Sequence, residues 1–207
     1  MTILLEARRP ASLKQAVEAL RRRETIVLPT DTVYGVGTLA YDAEAVAGLF
    51  RVKERPSEKA IPVFVGNMAE LPRVCGEINP VLLPLLEHYW PGGLTAVLPV
   101  STSLPTVLTN NQPTVAVRMP DHPVIAELLA MVGEPLAVTS ANLSGQPTPR
   151  TAAEIKEQLD GRVTLILDDG PSPLAEPSTI LDLTQFPPQI LRQGAVQVRA
   201  EHLELEL

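Results

Sequence analysis

An α/β fold on a mixed sheet is predicted for this chain by three observations. Apolar runs of strand length interleave with segments of helical periodicity along most of the sequence. The last strand-like runs, Val163–Leu167, Thr179–Leu183 and Gln189–Leu191, follow one another without a helix, so antiparallel pairs must join parallel ones. The 21 prolines fall mostly at segment ends, which predicts short elements and firm turns.

The first helix is predicted from Ser12, a plausible N-cap, to Arg23, with Leu13, Ala16, Val17 and Leu20 as one apolar stripe. Arg21, Arg22 and Arg23 fall in its last turn, where cations suit the helix dipole better than they make an RNA patch. Ile26–Leu28 is a strand ending at Pro29, and Thr30 to Gly37 reads as a polar, glycine-containing loop between that strand and a helix. The helix, Asp42 to Lys53, has Asp42 as cap and Val46, Leu49 and Phe50 facing inward. Ile61–Val65 is a buried strand, Pro80–Tyr89 is mostly helical, and Trp90–Gly93 (WPGG) forces a turn. Leu94–Val100 and Val115–Met119 are strands, His122–Val132 an apolar helix, and Pro135–Thr139 a strand running into the loop Ser140–Arg150. Thr151 with Glu154 three residues on opens a helix as a capping box. The tail Glu201–Leu207 is weakly helical or frayed.

Composition removes several classes of function. The chain of 207 residues is 45% hydrophobic and 20% charged, ordinary for one globular domain. No apolar run approaches the ~20 residues of a membrane-spanning helix, and the N-terminus MTILLEARRP lacks a signal-peptide pattern, so a cytoplasmic location is expected. The single cysteine, Cys75, excludes an internal disulfide, and His88, His122 and His202 show no metal-ligand spacing, so no protein-only metal site is expected. The net charge of −7 argues against a broad nucleic-acid surface.

Polar residues gather at four element ends. Thr30, Asp31, Thr32 and Tyr34 precede Gly35 and Gly37, where a sheet edge can hold a small ligand or merely turn. Lys53 and Arg55 end a helix before Pro56; in an extended exit both could grip one polyanion, or they could be a solvated helix end. Arg118 follows a strand of buried character from Thr114, where it could pair with an internal acid or receive a ligand carboxylate. Thr139, Ser140 and Asn142 offer hydroxyls, an amide and backbone N–H groups to an anion, or a plain capped turn. No nucleophile elbow or triad competes, so the set suits chemistry of positioning and charge neutralisation, such as phosphoryl or nucleotidyl transfer.

PTDTVYGVG, Lys53-x-Arg55-Pro56, YWPGGLT, TVAVRMPDHP, TSANLSG, STILDL and LRQGAV occur in this order, and together they resemble the YrdC-like threonylcarbamoyl-AMP synthases from about residue 12 to 196. The resemblance implies a twisted mixed sheet with flanking helices and a large concave cleft. It implies one catalytic domain over 1–207, without the further C-terminal domain of longer members. It also implies the reaction of L-threonine, bicarbonate or CO₂ and ATP, with Mg²⁺, to threonylcarbamoyl-AMP and pyrophosphate. The product would pass to a tRNA threonylcarbamoyl transferase complex.

By the same resemblance, Thr32, Arg118, Ser140 and Ser178 match threonine-binding positions, and Arg55, Lys59, Thr114, Asn142, Arg150 and Arg192 match ATP-binding positions. The same family signature implies Lys53 and Arg55 as the catalytic pair at the phosphates. Ser178 and Arg192 come from the resemblance alone. Lys59 stands where many relatives have Asn, and Phe64 where some have His. The implied mechanism forms a carbamate on the threonine amine, whose oxygen attacks the α-phosphorus. The alternatives are a non-catalytic module of the same fold that binds double-stranded RNA or tRNA, an accessory protein like the hydrogenase-maturation carbamoyl transferases, and an adenylating enzyme for another amino acid.

Overall fold

A computed structural model describes residues 1–54 and 60–204. Its elements run β1 (Ile3–Glu6), α1 (Pro10–Arg21), β2 (Ile26–Leu28), β3 (Gly35–Leu39), α2 (Ala43–Lys53), β4 (Val63–Phe64), α3 (Leu71–Val74) and α4 (Leu83–Tyr89). Then come β5 (Leu94–Pro99), α5 (Thr106–Thr109), β6 (Thr114–Arg118), α6 (Pro123–Val132), β7 (Leu136–Ser140), α7 (Ala152–Leu159), β8 (Leu165–Asp168), β9 (Thr179–Asp182) and β10 (Gln189–Arg192).

All the strands join one twisted sheet in the order β1-β8-β2-β3-β7-β4-β6-β5-β9-β10. It is mixed, as expected: β1/β8, β2/β8, β4/β6 and β5/β9 are parallel, and β2/β3, β3/β7, β4/β7, β5/β6 and β9/β10 antiparallel.

Strand periodicity divides the core into two layers. Val27, Val36, Val63, Val117, Ala96 and Leu181 point to one face, which is packed by Val46 and Leu49 of α2, Leu85 and Leu86 of α4 and Ile155 and Leu159 of α7. Their neighbours Ile26, Leu28, Phe64, Leu136 and Val138 point to the other face, where α1 and α6 supply Leu13, Val17, Leu20, Ile125 and Leu128. Helix α1 lies over β8, β2 and β3 on that second face and packs against α6. Residues of β7, β4, β6, β5, β9 and β10 line a cavity beyond them.

Local signals account for several boundaries. Asp42 caps α2, its Oδ1 accepting from the N–H of Glu44 and Ala45 at 3.0 Å each. Thr151 caps α7 through the Glu154 N–H, and the Glu154 carboxylate reaches back to the Arg150 N–H at 2.7 Å. Helix α6 stops at Gly133, whose φ of 78° closes it.

Four expectations need correcting. Gly35 and Gly37 are not in a loop: they lie in β3, which pairs antiparallel with β2 and β7. They are glycines because β7 presses close: a Cβ on Gly37 would sit 2.8 Å from both the Ala137 carbonyl oxygen and Val138 Cγ2. Ser12 is no cap: α1 begins at Pro10 and Ser12 is buried. Arg23 lies beyond the helix and forms ion pairs with Asp42 and Glu44. Finally, β1, α3 and α5 are elements that periodicity did not reveal.

Candidate functional site

The cavity is lined by alternate residues of successive strands. Ala116 and Arg118 of β6, Thr95 and Val97 of β5, Ile180 of β9, Phe64 of β4 and Val138 and Ser140 of β7 share a cavity of about 450 Å³. Thr32, Ser178 and Arg192 complete its polar wall. Five residues named from the sequence, Thr32, Arg118, Ser140, Ser178 and Arg192, thus meet in one hollow although 160 positions separate the first from the last.

Arg118 carries the site's most constrained charge. Its Nε donates to the Gly92 carbonyl at 3.0 Å, one terminal nitrogen to Thr32 Oγ1 at 2.7 Å and the other to Asp31 Oδ1 at 2.6 Å. Its guanidinium also lies 5.6 Å from the Phe64 ring centroid. The two alternatives that the sequence left open are therefore compatible. Arg118 pairs with an internal acid, and a guanidinium has five N–H donors, of which these bonds use three. Burial lowers its pKa, Asp31 opposes that shift, and Arg192 adds to it, so the two arginines feel each other across the cavity. Desolvation likewise lowers Arg192. No carboxylate is among the described residues that line the hollow. Two guanidiniums beside a hollow whose described lining residues include no carboxylate suit carboxylate and phosphate groups.

Ser178 and Arg192 line the cavity beside Thr95. Arg192 donates to the Ser178 carbonyl at 2.7 and 3.3 Å, and Ser178 Oγ shares a hydrogen bond of 2.8 Å with Thr95 Oγ1. Sequence reasoning did not find this pair because β9 and β10 bring it together across a turn, and neither residue carries a local signature. Only their place in two recurring motifs pointed to them.

The Ser140–Asn142 turn is fixed from behind. Lys53, expected at the phosphates, has an ammonium buried against this turn, donating to the carbonyls of Ser140 and Asn142 and, at 3.3 Å, to Asn142 Oδ1. Ser140 Oγ donates to Asn142 Oδ1 at 2.6 Å, and the Asn142 amide donates to the carbonyls of Leu143 and Gln146 at 2.8 Å each. A buried ammonium is costly unless surrounded by acceptors, and the turn supplies them. Lys53 and Asn142 therefore shape the cavity wall without lining it.

Thr114 does not line the cavity, yet strand periodicity sets it on the same face as Ala116 and Arg118. Arg150 is exposed, its backbone tied to Glu154 and Ser172. Arg55 and Lys59 lie outside the described residues. Among the described residues, no group of three or more His, Cys, Asp or Glu could hold a metal ion, and no helix is long and apolar enough to cross a membrane.

Comparison with known proteins follows the same outline. The Sua5_yciO_yrdC family model, described as telomere recombination, matches residues 18–194. A threonylcarbamoyl-AMP synthase of Pyrococcus abyssi is 36% identical over 199 residues, covering 95% of this chain and 58% of its own length. One of Vibrio cholerae is 37% identical over 185 residues, covering 88% of this chain and 97% of its own. The crystal structure of P. abyssi Sua5 complexed with L-threonine aligns with a TM-score of 0.89 at 35% identity, over 94% of this chain and 57% of that one. The chain thus spans little more than half the length of the Pyrococcus relative.

Proposed function

The chain belongs to the Sua5/YciO/YrdC family, and from that premise we propose that it makes threonylcarbamoyl-AMP and pyrophosphate from L-threonine, bicarbonate or CO₂ and ATP. The observation that carries the proposal is the convergence of Thr32, Arg118, Ser140, Ser178 and Arg192 on one cavity. It offers one guanidinium for a carboxylate, a second for phosphates, and hydroxyls in the same hollow.

In this reading the threonine carboxylate takes the remaining N–H groups of Arg118, beside Thr32. The threonine amine, deprotonated, captures CO₂ with loss of a proton, or bicarbonate with loss of water, as a carbamate. A carbamate oxygen forms a bond to the α-phosphorus, the bond from that phosphorus to the bridging oxygen breaks, and pyrophosphate leaves. Arg192, with Arg55 and Lys59, neutralises charge moving onto the leaving group. One pre-aimed donor of this kind is worth about 2.7–4 kcal/mol of barrier. Lys53 and Asn142 act through the turn they hold, keeping Ser140 in place, and Thr114 and Arg150 belong to the nucleotide side. Mg²⁺ bound with ATP would supply further charge neutralisation at the phosphates, beside Arg192. The absence of carboxylates among the described lining residues fits a metal held by phosphate and water oxygens. The product would be passed to a tRNA threonylcarbamoyl transferase complex in the cytoplasm.

The RNA-binding alternative has less support. Arg8, Arg9, Arg22 and Arg23, which could form a basic surface around α1, are each paired with a carboxylate. The test is pyrophosphate release from ATP across a panel of amino acids, with and without bicarbonate, and mass spectrometry of the adenylate. Release that requires both threonine and bicarbonate is expected. Release indifferent to either, or none, would reject the proposal.

A further inference from the structure

Ser178 and Arg192 stand in the STILDL and LRQGAV motifs, and their neighbours have no part in the function proposed above. Thr179 follows Ser178 and is wholly buried. Its hydroxyl donates to the Val196 carbonyl at 2.5 Å and accepts from the Gly194 N–H at 3.0 Å and the Val196 N–H at 3.2 Å. A hydroxyl has one proton and two lone pairs, so these bonds use all of it.

The strap of residues 193–196 is laid directly on the backbone of residues 177–179. The Ala195 N–H donates to the Pro177 carbonyl at 2.9 Å. A Cβ on Gly194 would collide with that carbonyl and lie 2.7 Å from the Ser178 carbonyl group. The strap begins where Arg192 ends, and Arg192 holds the Ser178 carbonyl. At its far end Val196 and Ala195 crowd Gly93 beside the Thr32 methyl: a Cβ on Gly93 would be 2.8 Å from Val196 Cγ2, 3.4 Å from Thr32 Cγ2 and 3.7 Å from Ala195 Cβ. One short segment therefore spans from Arg192 to Thr32, and the Thr179 hydroxyl, with the Ala195–Pro177 backbone bond, fastens it.

We propose that Thr179 is a positioning residue for the reaction: its hydroxyl fixes the strap 193–196, and the strap holds the Arg192 guanidinium at the nucleotide side and the wall beside Thr32. This rests on the proposed function, which it deepens. Without the hydroxyl, the N–H groups of Gly194 and Val196 lose their acceptor, the strap keeps only the Ala195–Pro177 backbone bond to this segment, and its hold on Arg192 loosens.

Thr179→Val, which keeps the shape and removes the hydroxyl, and Thr179→Ser, which keeps the hydroxyl, test the proposal by kinetics of pyrophosphate release and by amide hydrogen exchange. Thr179→Val is expected to raise KM for ATP about tenfold, equivalent to ~1.4 kcal/mol of lost positioning, with a smaller change in kcat. The amides of Gly194 and Val196 should exchange faster by a similar factor. Thr179→Ser should stay near the parent chain in both respects. Parent-like KM and protection in Thr179→Val, or a Thr179→Ser as impaired as Thr179→Val, would overturn it. Should Thr179→Val fail to fold, Gly194→Ala displaces the strap with the hydroxyl in place and must raise KM for ATP; an unchanged KM would also overturn it. If the parent chain releases no pyrophosphate, the proposed function fails, and exchange at Gly194 and Val196 still decides the role of Thr179.

Discussion

Removing Arg118 should damage the fold as much as the site. The Arg118 side chain is 5% exposed and that of Asp31, its partner at 2.6 Å, 15%. Arg118→Ala leaves the Asp31 carboxylate half-desolvated with no counter-charge, and it strips the Gly92 carbonyl and Thr32 Oγ1 of a donor. Breaking a buried pair from one side costs about 3–5 kcal/mol. In a domain whose whole stability is ~5–15 kcal/mol, that is a large fraction. At roughly 2–4 °C per kcal/mol for this chain length, Tm should fall by roughly 6–20 °C.

The double variant Arg118→Ala/Asp31→Asn removes both charges, so it should be less destabilised than the sum of the two single variants. Urea unfolding followed through Trp90, the single, buried tryptophan, measures all four forms. In those conditions where Arg118→Ala remains folded, its threonine requirement should rise sharply. A loss in Arg118→Ala below ~1 kcal/mol, or strict additivity in the double variant, would refute the reasoning, because either result means that Asp31 does not depend on Arg118.

Other consequences are accessible to simpler assays. Lys53→Met should lower urea stability by about 1.5–3 kcal/mol, since it strips the carbonyls of Ser140 and Asn142 of a charged donor; an unchanged stability would return Lys53 to the open cavity. Cys75 is buried and its thiol is pushed up to about 11 by desolvation. Alkylation at neutral pH should therefore follow global unfolding, and rapid labelling of the native chain would contradict this burial. Burial holds the His122 imidazole below its ordinary 6.5, against the pull of Asp169. Below pH 6.5 the unfolded chain takes up a proton that the folded one resists. Stability should thus fall as the pH drops through that window, more steeply for the parent chain than for His122→Gln; parallel pH profiles would remove His122 from the account.

Much of the fold was legible because local chemistry and tertiary packing agree. Asp42 and Thr151 cap the helices they were expected to open. The apolar runs at Ile26–Leu28 and Leu94–Pro99 are strands buried on both faces or nearly so. The misreadings occur where partners are remote. Strand β1 has mostly exposed side chains and is made a strand by β8, more than 150 residues away. Strand β3 hides behind two glycines that usually signal a turn and here admit a neighbouring strand.

The site divides in the same way. Arg118 was conspicuous because an arginine at the end of an apolar strand requires a partner. Lys53 suggested a polyanion grip because Lys-x-Arg spacing brings two cations together, whereas the carbonyl that receives its ammonium lies 87 positions away. Ser178 and Arg192 have no local signal, and only the pairing of β9 with β10 joins them.

The claim beneath all of this is that threonine and ATP share the hollow between Arg118 and Arg192. A crystal structure with L-threonine and a non-hydrolysable ATP analogue measures it directly. The account predicts the threonine carboxylate on Arg118 beside Thr32 and the analogue's phosphates on Arg192. Either ligand bound away from that cavity, with Arg118 and Arg192 untouched, would contradict it.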